Sequence, residues 1–375
     1  MASVGNRSLR LIKPVVGTEE EQLIHQVLMS GWLSEGPMTR KFEGLVKDLI
    51  GARHAIAVSS CTTGMEIGLR AMGIGSGDEV LIPDFTHPAT ANAIIAVGAE
   101  PVLVDTDLSS YNIDLEEARK TVTRKTRAMI PVSWGGNPLD DTELKDLKDS
   151  TNILVMEDAA CSIGAQNRGV KSGAMADITV FSFHPRKVIT TGEGGMITTD
   201  NDDYAQKLGS LKNFGLGKLE GEIGFVGYGT NYKMSDLLAA IGVAQMGKLP
   251  QIIQKRIELA ENYNKLLSNI NGIRPPQARE EAKHTYQTYA AYIDVKGARD
   301  KLIQDLRSVG IETQIGTYAL HTQPYYSHIR RYGTLSRSQL LYENLLALPM
   351  CHDMTRDDQE YVSVQIEQFL KNYRP

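Results

Sequence analysis

The stretch "ITVFSFHPRKVITTGEGGMITT", residues 178–199, sets one lysine between two apolar, β-branched runs. "ITVFSF" before it and "GMITT" after it both read as buried strands, not as solvated surface. Lys187 therefore stands on a connection between two sheet elements, where a lysine either pairs with an acid or does chemistry. The connection is too short for a helical crossover of much length, which leaves room for at least one antiparallel strand.

Working outward, similar runs recur at "HAIAVSS", "DEVLIP", "EPVLVD", "RAMIPVS" and "NILVMED". Helix-like segments lie between most of them, such as "TTGMEIGLRAMGIG", where Met65, Leu69 and Met72 repeat at helical spacing. The alternation predicts an α/β fold: a mainly parallel, seven-stranded sheet flanked by helices. "PQIIQKRIELAENYNKLLSNING", with Pro250 at its start and Gly272 just past its end, predicts one long helix leading out of this domain. Beyond it, "TYAAYIDV", "ARDKLIQDLRSVG", "IETQIG" and "RDDQEYVSVQIEQFL" fit a smaller C-terminal α+β domain. The expected division is an N-terminal arm and large domain over 1–250, then a linking helix and small domain over 251–375. The stretch up to about residue 25 reads as an arm that docks on the large domain or on a partner chain.

With 40 basic and 45 acidic residues the net charge is -5, and no long single-sign run argues for nucleic acid or an anionic membrane. Cys61, Cys161 and Cys351 are too few and too scattered for a disulfide framework or a zinc site. They suit a reducing cytoplasm, and neither a signal peptide nor a membrane-spanning stretch is legible.

In open α/β sheets ligands bind beyond the carboxyl ends of the strands, and four such exits carry polar groups. "AVSS" runs into Cys61, Thr62 and Thr63; "VLIP" into Asp84, Phe85, Thr86 and His87; "ILVME" into Asp158 and Cys161; "TVFSF" into His184 and Lys187. The first opens a helix whose N–H groups and hydroxyls make an anion site, or an ordinary cap with Thr63 and Glu66 as a capping box. Asp158 follows an apolar strand, so its carboxylate needs a cation, a strong donor or a helix to cap. Together the four exits suit one cofactor. Pyridoxal 5'-phosphate takes a lysine for its aldehyde, a carboxylate for its pyridine nitrogen, an anion cradle for its phosphate and a flat side chain on its ring. Lys187, Asp158, the Ser60–Thr63 helix start and His87 can supply these in turn.

The chain resembles, over nearly its whole length, the fold-type I, pyridoxal-phosphate-dependent sugar aminotransferases of the DegT/StrS type. The matching stretches are "SGWLSEGPMTRKFE", "AVSSCTTGMEIGLRAMGIGSGDEVLIPDFTHPATANAI", "VMEDAACSIGA", "FSFHPRKVITTGEGGMITT", "YGTNYKMSDLLAAIG" and "LHTQPYY". The resemblance implies that Lys187 is the Schiff-base lysine and Asp158 the partner of the pyridine nitrogen. It gives Ser182 and Thr62 hydroxyl contacts to the phosphate, with backbone from Cys61 beside them. Asn231 matches an asparagine that reaches the phosphate from the other subunit, which implies a two-fold homodimer with shared active sites. Trp32, Ser34 and His321 fall at sugar-contact positions. Three residues depart from the family pattern: Cys161 replaces a glutamine or histidine near the cofactor's 3'-oxygen, His87 a larger stacking aromatic, and Lys233 an arginine.

The function this resemblance implies is amino transfer from an amino-acid donor, glutamate first, to a keto sugar carried on a nucleotide. A keto-cyclitol acceptor or a non-catalytic binding role are the alternatives. A dehydrating branch of the family carries histidine at the position of Lys187. His184, next to Pro185, reads as shaping the connection. The "TGEGG" glycines read as backbone geometry, since their spacing fits neither a Walker loop nor a dinucleotide fingerprint. Glu193 is a candidate partner of that turn.

Overall fold

The computed structural model describes residues 8–374. The seven expected strands are all present: β1 (His54–Val58), β2 (Glu79–Pro83), β3 (Glu100–Val104), β4 (Thr126–Met129), β5 (Leu154–Asp158), β6 (Ile178–Ser182) and β7 (Gly195–Thr199). They pair in the order β1-β7-β6-β5-β4-β2-β3, with a two-residue eighth strand, Arg330–Arg331, added at the β3 edge. That edge strand corrects the seven-stranded expectation, and two residues carry no period for a sequence reading to find. β7 alone runs opposite to the other strands of the sheet, because the 183–194 connection cannot carry a helix across it.

After the helices α1 (Thr18–Ser30) and α2 (Pro37–Ile50), the helix α3 (Cys61–Ala71) lies directly against β6 and β7, and two glycines permit it. A Cβ on Gly64 would come within 2.7 Å of Val180 Cγ1, and one on Gly195 within 2.7 Å of the Cys61 nitrogen. The N-terminus of α3 is thereby set down on the sheet edge.

The long helix differs from its expectation. It runs from Asp236 to Leu267, with Ser235 as its cap and Pro250 inside it. The proline forfeits one backbone bond, at about 3 kcal/mol. On both sides of it an apolar stripe continues through Ala239, Val243, Leu249, Ile252, Leu259, Tyr263 and Leu267, all buried. Each large side chain in that stripe returns about 1.5–3 kcal/mol, so burial outweighs the break. Position 250 thus falls within a continuous helix, and Gly272 serves the turn into the next strand with φ 91°.

The small domain is a four-stranded antiparallel sheet in the order 273–274, 289–293, 345–348 and 314–315, packed under the helices Ala298–Ser308 and Arg356–Asn372. Residues 9–11 of the arm dock here, on the chain's own small domain. Leu9 donates to the Gly310 carbonyl and accepts from Glu312 N, both at 2.8 Å, and the Leu11 carbonyl accepts from Met350 N at 3.0 Å. Leu9 packs against the small-domain core, while the rest of the arm docks on the large domain: Val15 and Leu23 pack against its core, and Glu20 accepts from Gln245 and Lys248. Among the described residues no helix is long and apolar enough to cross a membrane.

Candidate active site

Strand register gathers the site. Gly195 pairs with Val58 on one side and Ser182 on the other, and Asp158 pairs with Val180. The Ser59–Cys61 turn, Ser182 and Asp158 therefore meet on one edge of the sheet, and the connection after Ser182 returns over it with Lys187.

The α3 start is a capping box of Ser60 and Thr63, whose side chains satisfy each other's backbone N–H groups. This corrects the Thr63/Glu66 reading: Glu66 sits a turn later and binds Arg70 and the Tyr232 hydroxyl. Thr62, outside the box, is exposed and available to an anion, as is the dipole behind it. Cys61 turns its thiol inward, 3.8 Å from the Val180 carbonyl; burial, then Asp158, raise its pKa well above the usual thiol value. Its contribution at this edge is its backbone.

Asp158 is 5% exposed. One carboxylate oxygen accepts from Thr90 Oγ1 at 2.9 Å and the other from Ala160 N at 3.1 Å. Among the described residues no lysine, arginine or histidine nitrogen stands within 4.0 Å of it. A buried carboxylate held by two neutral donors lacks a counter-charge, and a protonated ring nitrogen would supply one. Thr90 is a site residue that sequence reasoning missed. Its one signal is the Thr86/Thr90 spacing on the first turn after "VLIP", which a structural helix start would also produce.

Lys187 Nζ lies 3.2 Å from Cys161 Sγ. Burial works against its ammonium, but Cys161 beside it, with Asp158 and Cys61, raises its pKa above the ordinary lysine value. His87 caps the helix Pro88–Ala96, its Nδ1 accepting from Ala89 N at 3.2 Å. The enclosing wall, then Lys187, push its pKa down, so the ring is neutral at the site's exposed rim. His184 shapes the connection as expected: its carbonyl accepts from Lys187 N at 2.8 Å and its Nδ1 from Arg186 N at 3.2 Å. Glu193 serves the turn through its carbonyl, which accepts from Thr191 Oγ1. Its carboxylate is at the surface.

His321 is locked to the strand exit after β2. Its backbone N–H reaches Asp84 Oδ1 at 2.8 Å and its Nδ1 meets Asp84 Oδ2 at 2.7 Å. Trp32, Ser34 and Asn231 are exposed and make no hydrogen bond to Lys187 or Asp158. Asp236 ties their two segments together. Its carboxylate accepts from Gly36 N, Met38 N, Thr39 N and Thr39 Oγ1, while its own N–H donates to the Leu33 carbonyl. Lys233 donates to Asn213 Oδ1 at 3.1 Å and lies over the Phe214 ring.

An amine, an uncompensated carboxylate and an anion-ready helix start on one sheet edge describe a group-transfer enzyme that works through a bound carbonyl cofactor. Comparison with known proteins specifies the class further. Residues 14–367 match the DegT/DnrJ/EryC1/StrS aminotransferase family, and the chain belongs to it. It is 36% identical over 362 residues to the uncharacterized protein MJ1066 of Methanocaldococcus jannaschii, covering 92% of this chain and 93% of that one. It is 34% identical to GDP-perosamine synthase of Caulobacter vibrioides, covering 95% and 97%. Among solved structures, the aminotransferase TlmJ from Streptoalloteichus hindustanus superimposes with a TM-score of 0.91 at 29% identity, covering 97% and 99% of the two chains.

Proposed function

We propose that this aminotransferase moves an amino group from L-glutamate to a keto sugar carried on a nucleotide, in the cytoplasm, with pyridoxal 5'-phosphate as cofactor and two chains sharing each site. The observation that carries the reading is the buried, cation-free carboxylate of Asp158 on the same edge as Lys187.

The residues present fit the cofactor. Asp158 would face the pyridine nitrogen and keep it protonated; Thr62, Ser182 and the N-terminus of α3 would hold the phosphate; neutral His87 would cover a ring face. When bound, the group supplies an aldehyde for amines and a ring that takes up the electron pair left at Cα. Lys187 would hold the group through its amine, and that amine, when free, would be the base placed to take up and give back a proton. Its neighbours Val188 and Ile189 are buried, which keeps bulk water from one side of that amine. The sugar assignment is supported by the likeness to GDP-perosamine synthase.

Sharing of sites is supported by two exposed apolar segments: Leu28, Met29, Trp32 and Leu33 on one, Leu219, Ile223, Phe225 and Tyr228 around the Leu216–Leu219/Glu222–Phe225 hairpin on the other. Such surface is rarely left open to water. The partner's Asn231 would then complete the phosphate site.

Two experiments test this reading. Incubating the holoenzyme with glutamate and a panel of nucleotide-linked keto sugars should yield an amino sugar by mass spectrometry; a wholly negative panel points to another ketone. Mixed dimers of Lys187→Ala and Asn231→Lys chains should regain activity, because one of their two sites is intact when Asn231 acts across the interface. No regain places Asn231 in its own chain's site.

A further inference from the structure

We infer that a cavity behind the Lys187 loop binds one monatomic anion, chloride in a physiological medium, on the guanidinium of Arg256. The cavity lies between the arm, residues 187–190 and the long helix, and neither Asp158 nor His87 lines it. Lys13, Val15, Thr190, Gln245, Arg256 and His352 are among its walls, and no carboxylate is.

Arg256 is 5% exposed. Its Nη1 donates to the carbonyls of Tyr286 at 3.0 Å and Gln287 at 3.2 Å. Nε and Nη2 have no acceptor among the described residues, yet neither is sealed off, because the guanidinium borders the cavity. No aspartate or glutamate oxygen comes within 4.0 Å of it among those residues. Burial lowers its pKa to about 10, which leaves it charged at neutral pH.

The charged groups around it do not cancel that charge. Lys13 is paired with Asp353 at 2.7 Å, and His352 is at the surface. Two carbonyl dipoles orient a buried guanidinium but do not neutralise it; a counter-ion does. The cavity has room for about one particle the size of a water molecule, so it excludes phosphate or a carboxylate metabolite and leaves a monatomic ion as the anion to test.

The anion would hold three segments together. Gln245 already bridges them, accepting from Thr190 N at 3.3 Å and donating to the Val15 carbonyl at 2.6 Å. A bound ion would add a charge-assisted link to the same junction, so the folded state should gain stability as the ion concentration rises.

The test uses the holoenzyme in chloride or bromide against methanesulfonate at matched ionic strength. The expected result is a Tm about 2 °C or more higher in the halide, a shift lost in Arg256→Met, and a bromide anomalous peak against the Arg256 guanidinium in soaked wild-type crystals. An equal halide shift in Arg256→Met, or water with no bromide signal at that position, overturns the site. Should Arg256→Met fail to fold, the bromide soak decides alone. Neither readout depends on the amino acceptor, so failure here is separable from failure of the sugar assignment.

Discussion

The amine of Lys187 rests 3.2 Å from the thiol sulfur of Cys161, while the carboxylate of Asp158 is taken up by Thr90 and Ala160. The lysine's polar contact is thus a sulfur at a position where the family pattern has a glutamine or histidine. Burial alone would lower its pKa, but Cys161, then Asp158, turn the shift upward. Free Lys187 is therefore an ammonium at neutral pH, and the neutral amine is the form that attacks an aldehyde. Capture of pyridoxal phosphate by the cofactor-free protein should accelerate about tenfold per pH unit below the Lys187 pKa. Cys161→Ala should move that profile to lower pH and speed capture at pH 8. Stopped-flow absorbance reads both rates, and identical profiles for the two proteins would refute the role of the sulfur.

Thr90 positions Asp158 without touching the reacting atoms. Replacing it by valine leaves a buried carboxylate oxygen without its donor, a loss of about 1–3 kcal/mol. Thr90→Val should lower kcat by about tenfold or more and loosen the cofactor, while Thr90→Ser, which keeps the hydroxyl, should recover most of both. Cofactor release followed by gel filtration and visible absorbance separates this from general destabilisation. A serine variant as impaired as the valine one would show that packing, not the hydrogen bond, matters here.

The large sheet is legible in the sequence because each of its seven strands is a short apolar run ending in a small polar residue, and the antiparallel β7 announces itself by a short connection. The small domain's central strand, Leu345–Leu348, is not. It follows the helix Ser336–Asn344 without a turn residue between, so "LLYENLLALPM" carries the helix period straight into the strand. Lys187 and Asp158 stand out as charged residues at the ends of apolar runs. Thr90, Asp236 and Arg256 do not, since each acts through partners far away in the chain and a lone threonine, aspartate or arginine on a helix carries no local signature. The edge strand Arg330–Arg331 exists through its pairing with β3, which no window of sequence contains.

Acid sensitivity should trace in part to His284. It is buried, stacked on Tyr286 at 4.0 Å, and its Nδ1 accepts from Tyr286 N at 2.8 Å. Burial depresses its pKa to about 3. The unfolded chain takes up this proton below about pH 6.5 and the folded one does not until about pH 3. The stability His284 contributes as a neutral ring is therefore present above 6.5 and lost as pH falls across that window. The slope reaches about 1.4 kcal/mol per pH unit. His284→Asn keeps an acceptor for the nitrogen two residues on and cannot titrate. Urea unfolding at a series of pH values should show a shallower decline for it, by about one proton; parallel curves would remove His284 as a cause.

Asp84 and His321 join the strand exit after β2 to the Leu320–Thr322 turn, and their bond should govern the acceptor more than the donor. Asp84 is fully buried; burial raises its pKa, opposed by hydrogen bonds from His321. Its backbone separately holds the sheet, accepting from Leu320 N at 2.9 Å and donating to the Val104 carbonyl at 2.9 Å, so loss of the side chain leaves those links in place. Asp84→Ala should free the His321 ring from a charge-assisted pair worth about 1.5–3 kcal/mol. If His321 contacts the sugar, the acceptor KM should rise about tenfold or more, with the glutamate half-reaction, read in a single turnover by the cofactor's absorbance, nearly unchanged. His321→Asn should give the same split. A loss shared equally by both half-reactions would instead place the Asp84–His321 pair in support of the cofactor, and His321 would then be withdrawn from the acceptor site.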